Sequence, residues 1–321
     1  MTRTLHRLAL TALALVSLPL TAAAADAPKT LNVLFIGNSF TARHNLSTVV
    51  KAMAEAGQPG LTFNRTDVIY GGRTLRDHWR LGSQNIVKQS TLTEAEEKAT
   101  IAALEKDAQD PKDKYAKSAL ERHAQVLAKL EANRKPWDIV VLQSYRDDTE
   151  GDPTLYAEYA PKFAALAKAQ GARVILYETT PQTQNEKPLT AAPDSDRILK
   201  KERAIAALAK QTGASVAPMA IVALRCQTQR PDITLRFVND NHLNQTMAYL
   251  TACTLYSALF NQSPVGLPID SITDTRSMDA PKNDPTKDRD GNPITRKFSE
   301  KDRADLQRIA WEGWQEFQKL P

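Results

Sequence analysis

The chain has 321 residues and only two cysteines, Cys226 and Cys253. Neither has a histidine or a second cysteine at metal-ligand spacing, which argues against a zinc site. In an oxidising compartment the two are a candidate disulfide, and a pair of buried thiols is the equal alternative. No dense Lys/Arg cluster with interleaved aromatics occurs, so nucleic acid is not an expected partner. Beyond the first 25 residues no apolar run approaches about 18 residues, so no membrane span is expected in the remaining chain. There is no internal repeat, no domain linker, and no motif for a metal, a nucleotide or another cofactor. Asp288, Asp290, Gly291 and Asn292 come nearest to a calcium loop. Their spacing would put Thr286 at the first ligand position and Lys297 at the last, which fails the pattern. The Asp-, Lys- and Pro-rich stretch 277–293 reads instead as a solvated connection.

The N-terminal residues do carry a signal. Arg3 and Arg7 precede the apolar run Leu8 to Leu20, which ends in four alanines, Ala22 to Ala25. This reads as a secretory signal peptide cleaved after Ala25, and it predicts a periplasmic or secreted protein. Its removal takes two arginines and lowers the formal charge from +5 to +3. The remainder, 26–321, suits a single domain with a helical insertion at about 83–135 and a C-terminal extension at about 263–321.

The stretch around which the chain is organised is LNVLFIGNSFT, Leu31 to Thr41. Its apolar run stops at Gly37 and a helical pattern follows, the signature of a buried parallel strand. Strands are also predicted at 61–70, 137–144, 172–178 and 214–217. Helices are predicted at 46–56, 155–170, 197–211 and 245–260, with a last one opened by Ser299. The Ala-, Glu-, Lys- and Leu-rich stretch from Leu92 to Arg134, broken at Asp110-Pro111, reads as two helices packed on the domain. This alternation predicts a five-stranded parallel sheet covered by helices on both faces.

Open sheets of this kind place their sites at the carboxyl ends of the strands. Ser39 falls there, either as a helix N-cap or as a nucleophile should a base reach it. The diglycine Gly71-Gly72 follows the second strand and allows close backbone approach. Gln143 ends the third strand, where its amide could donate to an oxyanion or simply meet solvent. His242 lies in a polar loop rather than on an apolar face, which favours a chemical role.

Taken in order, these blocks resemble the SGNH, or GDSL-like, hydrolase superfamily, most nearly its branch opening with Ile-Gly-Asn-Ser-Phe. The matching residues are Ile36 to Phe40, Gly71 to Leu75 with His78-Trp79, Val141 to Gln143, and His242 to Asn244 with Tyr249-Leu250. Position 41 is Thr, so the nucleophile elbow of ordinary α/β-hydrolases is absent. The resemblance implies a flavodoxin-like three-layer α/β/α sandwich and hydrolysis of a small or carbohydrate ester without a cofactor. Ser39 would be the nucleophile and His242 the base. The amides of Ser39 and Gly72 and the side chain of Gln143 would form the oxyanion hole.

The chain departs from the family pattern at three points. Gln143 stands where the family usually has Asn, and Met247 stands where the family often has Gly. Position 239, three before the histidine, is Asn where the family has its acid. Either Asp240 completes a triad, or Asn239 or a backbone carbonyl orients the ring of a Ser-His dyad. His44 and His78 are rival bases; His78 reads, with Trp79, as a packing or substrate-contact residue. A catalytically silent binding protein and an acyltransferase are the alternative functions.

Overall fold

The computed structural model describes residues 29–145, 154–180, 183–238, 240–275 and 284–321. The segment 1–25 expected to be a signal peptide and Asn239 lie outside them. Five parallel strands form one sheet: β1 (Thr30–Gly37), β2 (Thr62–Ile69), β3 (Ile139–Gln143), β4 (Arg173–Tyr177) and β5 (Ser215–Ala217). Their spatial order is β2-β1-β3-β4-β5, the flavodoxin-like doubly wound arrangement. The chain order reverses between β1 and β3, so a crevice opens at their carboxyl ends.

Burial follows strand position. β1 and β3 lie inside the sheet, and their apolar runs are buried almost without interruption. β2 is an edge strand, and Asn64, Arg65 and Asp67 keep it polar, which blunts strand addition from outside. One face carries α2 (Leu46–Gly57) and α10 (Gln245–Phe260). Outside them α11 (Glu300–Phe317) packs on α10 and on α9 (Met219–Gln229). The opposite face carries α7 (Leu155–Ala169) and α8 (Ser195–Thr212), with α3 (Leu75–Arg80) and α4 (Ser83–Val87) packed on α7. The fold is therefore a three-layer α/β/α sandwich. Among the described residues no helix is long and apolar enough to cross a membrane, and no group of acidic, His or Cys side chains could hold a metal.

Between β1 and the helix expected at 46–56 the chain makes two short turns. A single turn, α1 (Ser39–Ala42), leads into a 3-10 turn, Arg43–Asn45. His44 and Asn45 there adopt φ of 57° and 49°, and α2 begins only at Leu46. The two helices predicted in the insertion are α5 (Glu94–Asp107) and α6 (Lys114–Ala128). A Thr93–Glu96 capping box opens α5. A buried pair, His123 Nδ1 to Glu97 Oε1 at 2.6 Å, fastens α6 to α5. His123 Nε2 donates to the Leu81 carbonyl at 3.1 Å, and Asn85 donates to Glu97 Oε2 at 2.8 Å, so the hairpin is anchored to the domain.

At the start of α9, Pro218 supplies no side-chain cap. Two buried glutamates take that role. Glu178 Oε2 accepts from the Ala220 amide at 2.9 Å and Glu202 Oε1 from the Ile221 amide at 2.6 Å. Burial, and then the charge of Glu178, holds the Glu202 carboxyl above the usual range. Lys201 sits 3.2 Å from Glu178 and compensates it. Cys226 and Cys253 are both free and buried on α9 and α10; burial pushes the Cys226 thiol up to about 12. The small β6 (Ser271–Thr273) and β7 (Thr295–Lys297) pair antiparallel in the C-terminal extension.

The insertion's anchor is testable. Glu97→Ala leaves His123 Nδ1 without its acceptor in a buried site and removes one of the two acceptors of the Asn85 amide, the other being Thr100 Oγ1. It should lower the unfolding free energy by about 3 kcal/mol in urea denaturation.

Candidate active site

The site is built where β1 and β3 end side by side. Gln143 is buried there, and its Oε1 accepts from the Asn38 amide at 2.9 Å and from the Thr41 hydroxyl at 2.7 Å. Its Nε2 donates to Asn38 Oδ1 at 2.8 Å and to the Ser144 carbonyl at 2.6 Å. A backbone N–H on one end and a backbone carbonyl on the other fix which end of the amide is oxygen. Gly37 is what admits this side chain. A Cβ there would lie 2.4 Å from Gln143 Oε1 and 2.5 Å from Thr41 Oγ1.

This corrects one expectation. Both amide hydrogens of Gln143 are engaged, so it braces the turn that carries Ser39 and has none left over for a further acceptor. The longer side chain, where the family has Asn, reaches back across the strand ends to the Asn38 backbone.

Asn38 passes the constraint on. Its Oδ1 also accepts from the Phe40 amide at 3.1 Å, capping α1, and its Nδ2 donates to the Arg73 carbonyl at 3.0 Å. The turn after β2 is thereby tied beside Ser39. Gly72 in that turn has φ of 68°, open space where a side chain would stand, and an exposed backbone. The Tyr115 hydroxyl at the start of α6 donates to the Gly71 carbonyl at 2.5 Å, so the insertion also holds this turn.

Ser39 is the first residue of α1, where an amide has no acceptor within the helix. His242 Nε2 lies 2.7 Å from Ser39 Oγ, and His242 Nδ1 lies 2.6 Å from Asp240 Oδ1. A carboxylate only accepts, so Nδ1 carries the proton and the Nε2 lone pair faces the hydroxyl. Asp240 Oδ1 also accepts from the His242 backbone N–H at 3.1 Å. This is an Asx turn, in which a side chain bonds the backbone two residues ahead. It explains how an acid two residues before the histidine reaches the ring. The structure thus takes the Asp240 alternative, while Asn239 falls outside the described residues.

The imidazole is about a quarter exposed and lies against the Phe40 ring, 5.2 Å between centroids. Burial and then the Arg43 guanidinium push it down to about 4, against an opposing pull from Asp274. Phe40 in turn meets Tyr145, 5.8 Å away, on the far side.

The rival histidines are structural. His78 is fully buried, with Nε2 on the Gly37 carbonyl at 2.9 Å and Nδ1 on Ser83 Oγ at 3.0 Å. It braces the end of β1 and cannot touch a substrate. Trp79 packs edge-on against Tyr159 and Phe163 of α7, also away from the crevice. His44 is buried between the Leu243 carbonyl, 2.9 Å from its Nε2, and Asp274, 3.3 Å from its Nδ1.

Two site residues were not read from the sequence. Arg43 Nη2 lies 3.3 Å from Asp240 Oδ2, and Arg289 pairs with the same oxygen. Arg43 follows Ser39 by one helical turn, a spacing that hints at a shared face. Nothing local marks Arg289, which lies in a turn of the stretch read as a solvated connection. Most of 285–293 is exposed, in keeping with that reading, but Asp288 in the same turn is buried.

A doubly wound sheet with a Ser–His–Asp chain at its carboxyl rim defines an α/β protein equipped for nucleophilic catalysis. No family model and no curated protein matches the chain. Its fold is similar to a DUF4886 family protein from Bacteroides uniformis, at 16% identity over 91% of this chain and 98% of that one, TM-score 0.47. It is also similar to a proposed SGNH hydrolase from Slackia heliotrinireducens, at 20% identity over 72% and 100%, TM-score 0.44. A third is the acetyl xylan esterase AlAXEase, at 17% identity over 72% and 100%, TM-score 0.42.

Gln143→Glu keeps the acceptor for Asn38 and Thr41 but turns a second oxygen towards Asn38 Oδ1 and the Ser144 carbonyl. It should cost about 2 kcal/mol or more of stability in chemical denaturation at neutral pH.

Proposed function

We propose that the protein is an exported serine hydrolase that cleaves a small or carbohydrate ester through an acyl-enzyme. The observation that carries this reading is the continuous hydrogen-bonded chain Ser39–His242–Asp240, with the imidazole in the tautomer a general base requires. As the Ser39 oxygen attacks the ester carbonyl, its proton passes to His242 Nε2. The carbonyl oxygen becomes an oxyanion, and the amides of Ser39 and Gly72 are the donors proposed for it. When the tetrahedral adduct collapses, the C–O bond to the alcohol breaks. His242 then returns the proton to the leaving oxygen. Water repeats the sequence on the acyl-enzyme, with His242 again as base, and releases the acid.

Asp240 holds the ring and stabilises the imidazolium that forms transiently. Because its other oxygen is shared with two guanidiniums, it orients the ring without fixing a proton on it in the resting state. The leader at 1–25 is the ground for proposing export.

Two tests follow, on short-chain p-nitrophenyl and acetyl-sugar esters. Ser39→Ala and His242→Ala should each abolish turnover with folding retained, and Asp240→Asn should lower kcat by about 10³–10⁴. Turnover surviving in Ser39→Ala, or a fluorophosphonate probe that never labels Ser39 of the active-competent protein, would end the proposal. The second test is the pH profile. The base works only while neutral, and its ring is held near 4. Hence kcat/KM should stay level as pH falls through 6.5 and decline only near pH 4.

A further inference from the structure

The turn 284–292 grips the loop of the catalytic pair at three points. Both carboxylate oxygens of Asp290 accept from the Val238 amide at 3.1 Å. Asp288 Oδ2 accepts from Gln245 Nε2 at 3.1 Å, at the start of α10. Asp288 Oδ1 accepts from the amides of Asp290 and Asn292, both at 2.9 Å, which shapes the turn itself. Between these two anchors stands Arg289. Its guanidinium lies 5.9 Å from the centre of the Phe237 ring and pairs with Asp240 Oδ2. Arg43 approaches the same oxygen from the nucleophile side, and Arg236 Nη1 donates to the Asp240 carbonyl at 3.4 Å.

We infer that Arg289, with Arg43, is a positioning residue for catalysis, and that turn 284–292 is a working part of the active site. The inference rests on the hydrolase reading above. Asp240 presents Oδ1 to two donors of His242, its ring and its backbone N–H. The Asx turn fixes that edge only. Without partners Oδ2 would be free to draw the carboxylate round towards solvent. Two guanidiniums from separate segments oppose such a rotation, because each presents its donors in a fixed fork. They also neutralise much of the negative charge beside the imidazole.

The charged and titratable groups around His242 are Asp240, Arg43, Asp274 and His44, with Arg289 acting through Asp240. Removing Arg289 takes away one positive charge and leaves Asp240 more strongly negative. The imidazolium is then favoured, so the His242 titration moves upward.

The test compares full-length wild type, Arg289→Ala, Arg289→Gln and Arg289→Lys. One readout is the rate at which a fluorophosphonate probe labels Ser39, measured against pH. The other is the NMR titration of the His242 ring, assigned by its loss in His242→Ala. In Arg289→Ala, labelling at neutral pH should fall about tenfold or more. The His242 midpoint should rise by about one unit. Arg289→Lys keeps the charge but not the fork; it should label more slowly with its midpoint near wild type. Arg289→Gln stands in should the alanine variant fail to fold. Wild-type labelling together with an unmoved midpoint in the neutral variants would overturn the inference. Absence of labelling in wild type at every pH would instead sink the hydrolase reading, and the NMR titration would still decide whether Arg289 sets the charge at His242.

Discussion

Two amides fastened to each other across the ends of neighbouring strands fix where the rest of the site falls. Gln143 and Asn38 exchange a backbone and a side-chain hydrogen bond at the switch point of the sheet, in a buried setting. A buried amide that loses its partner costs about 1–3 kcal/mol, so each group holds the other in place. From this knot the constraint spreads along the chain in both directions. Asn38 caps the turn that presents Ser39 and reaches the Arg73 carbonyl, which sets the glycine turn beside it. Gly37 is required because the knot occupies its side-chain space, and His78 secures its carbonyl from behind. Ser39 is thus placed by residues that do not touch its hydroxyl.

The histidine loop is placed by a different device. It leaves the sheet after the short β5 and α9, far in sequence from β1. Local hydrogen bonding in the Asp240 Asx turn ties the carboxylate and the imidazole together within the loop itself. Tertiary contacts then tie that unit to the domain: Arg43 from the nucleophile's own segment, and Arg289, Asp290 and Asp288 from the extension. One side of the triad depends on strand geometry, and the other depends on charge.

That difference sets what could be read from the sequence. The strands and helices were legible because apolar periodicity is a local property. Ser39, Gly72, Asp240 and His242 were legible because each sits at an element end or in a polar loop. Gln143 was found, but its role was misjudged, since residue type and position do not say which way a side-chain amide turns. His78 was open between packing and substrate contact, because a local reading cannot say which way a helical side chain faces; the fold buries it against the Gly37 carbonyl. Arg289 was invisible for a physical reason. A long flexible side chain in an Asp-, Gly- and Pro-rich turn carries no periodic signal, and only the folded chain brings it across about fifty positions to Asp240.

The electrostatics of the acid need all of these parts at once. A carboxylate alone beside an imidazole stabilises the imidazolium, and a base so stabilised would be protonated too readily to accept from a serine. Burial alone lowers the ring's affinity for a proton but gives no orientation. Asp240 divides the two tasks between its oxygens. Oδ1 orients the ring, and Oδ2 gives its charge to Arg43 and Arg289. The imidazole can therefore be held firmly and still rest neutral, and in the proposed reaction the positive charge it gains would last only as long as a proton is in transit. An acid without guanidinium partners would have to trade orientation against resting charge. In this chain the extension supplies one of the two partners, which makes residues far from the sequence blocks of the site part of its chemistry.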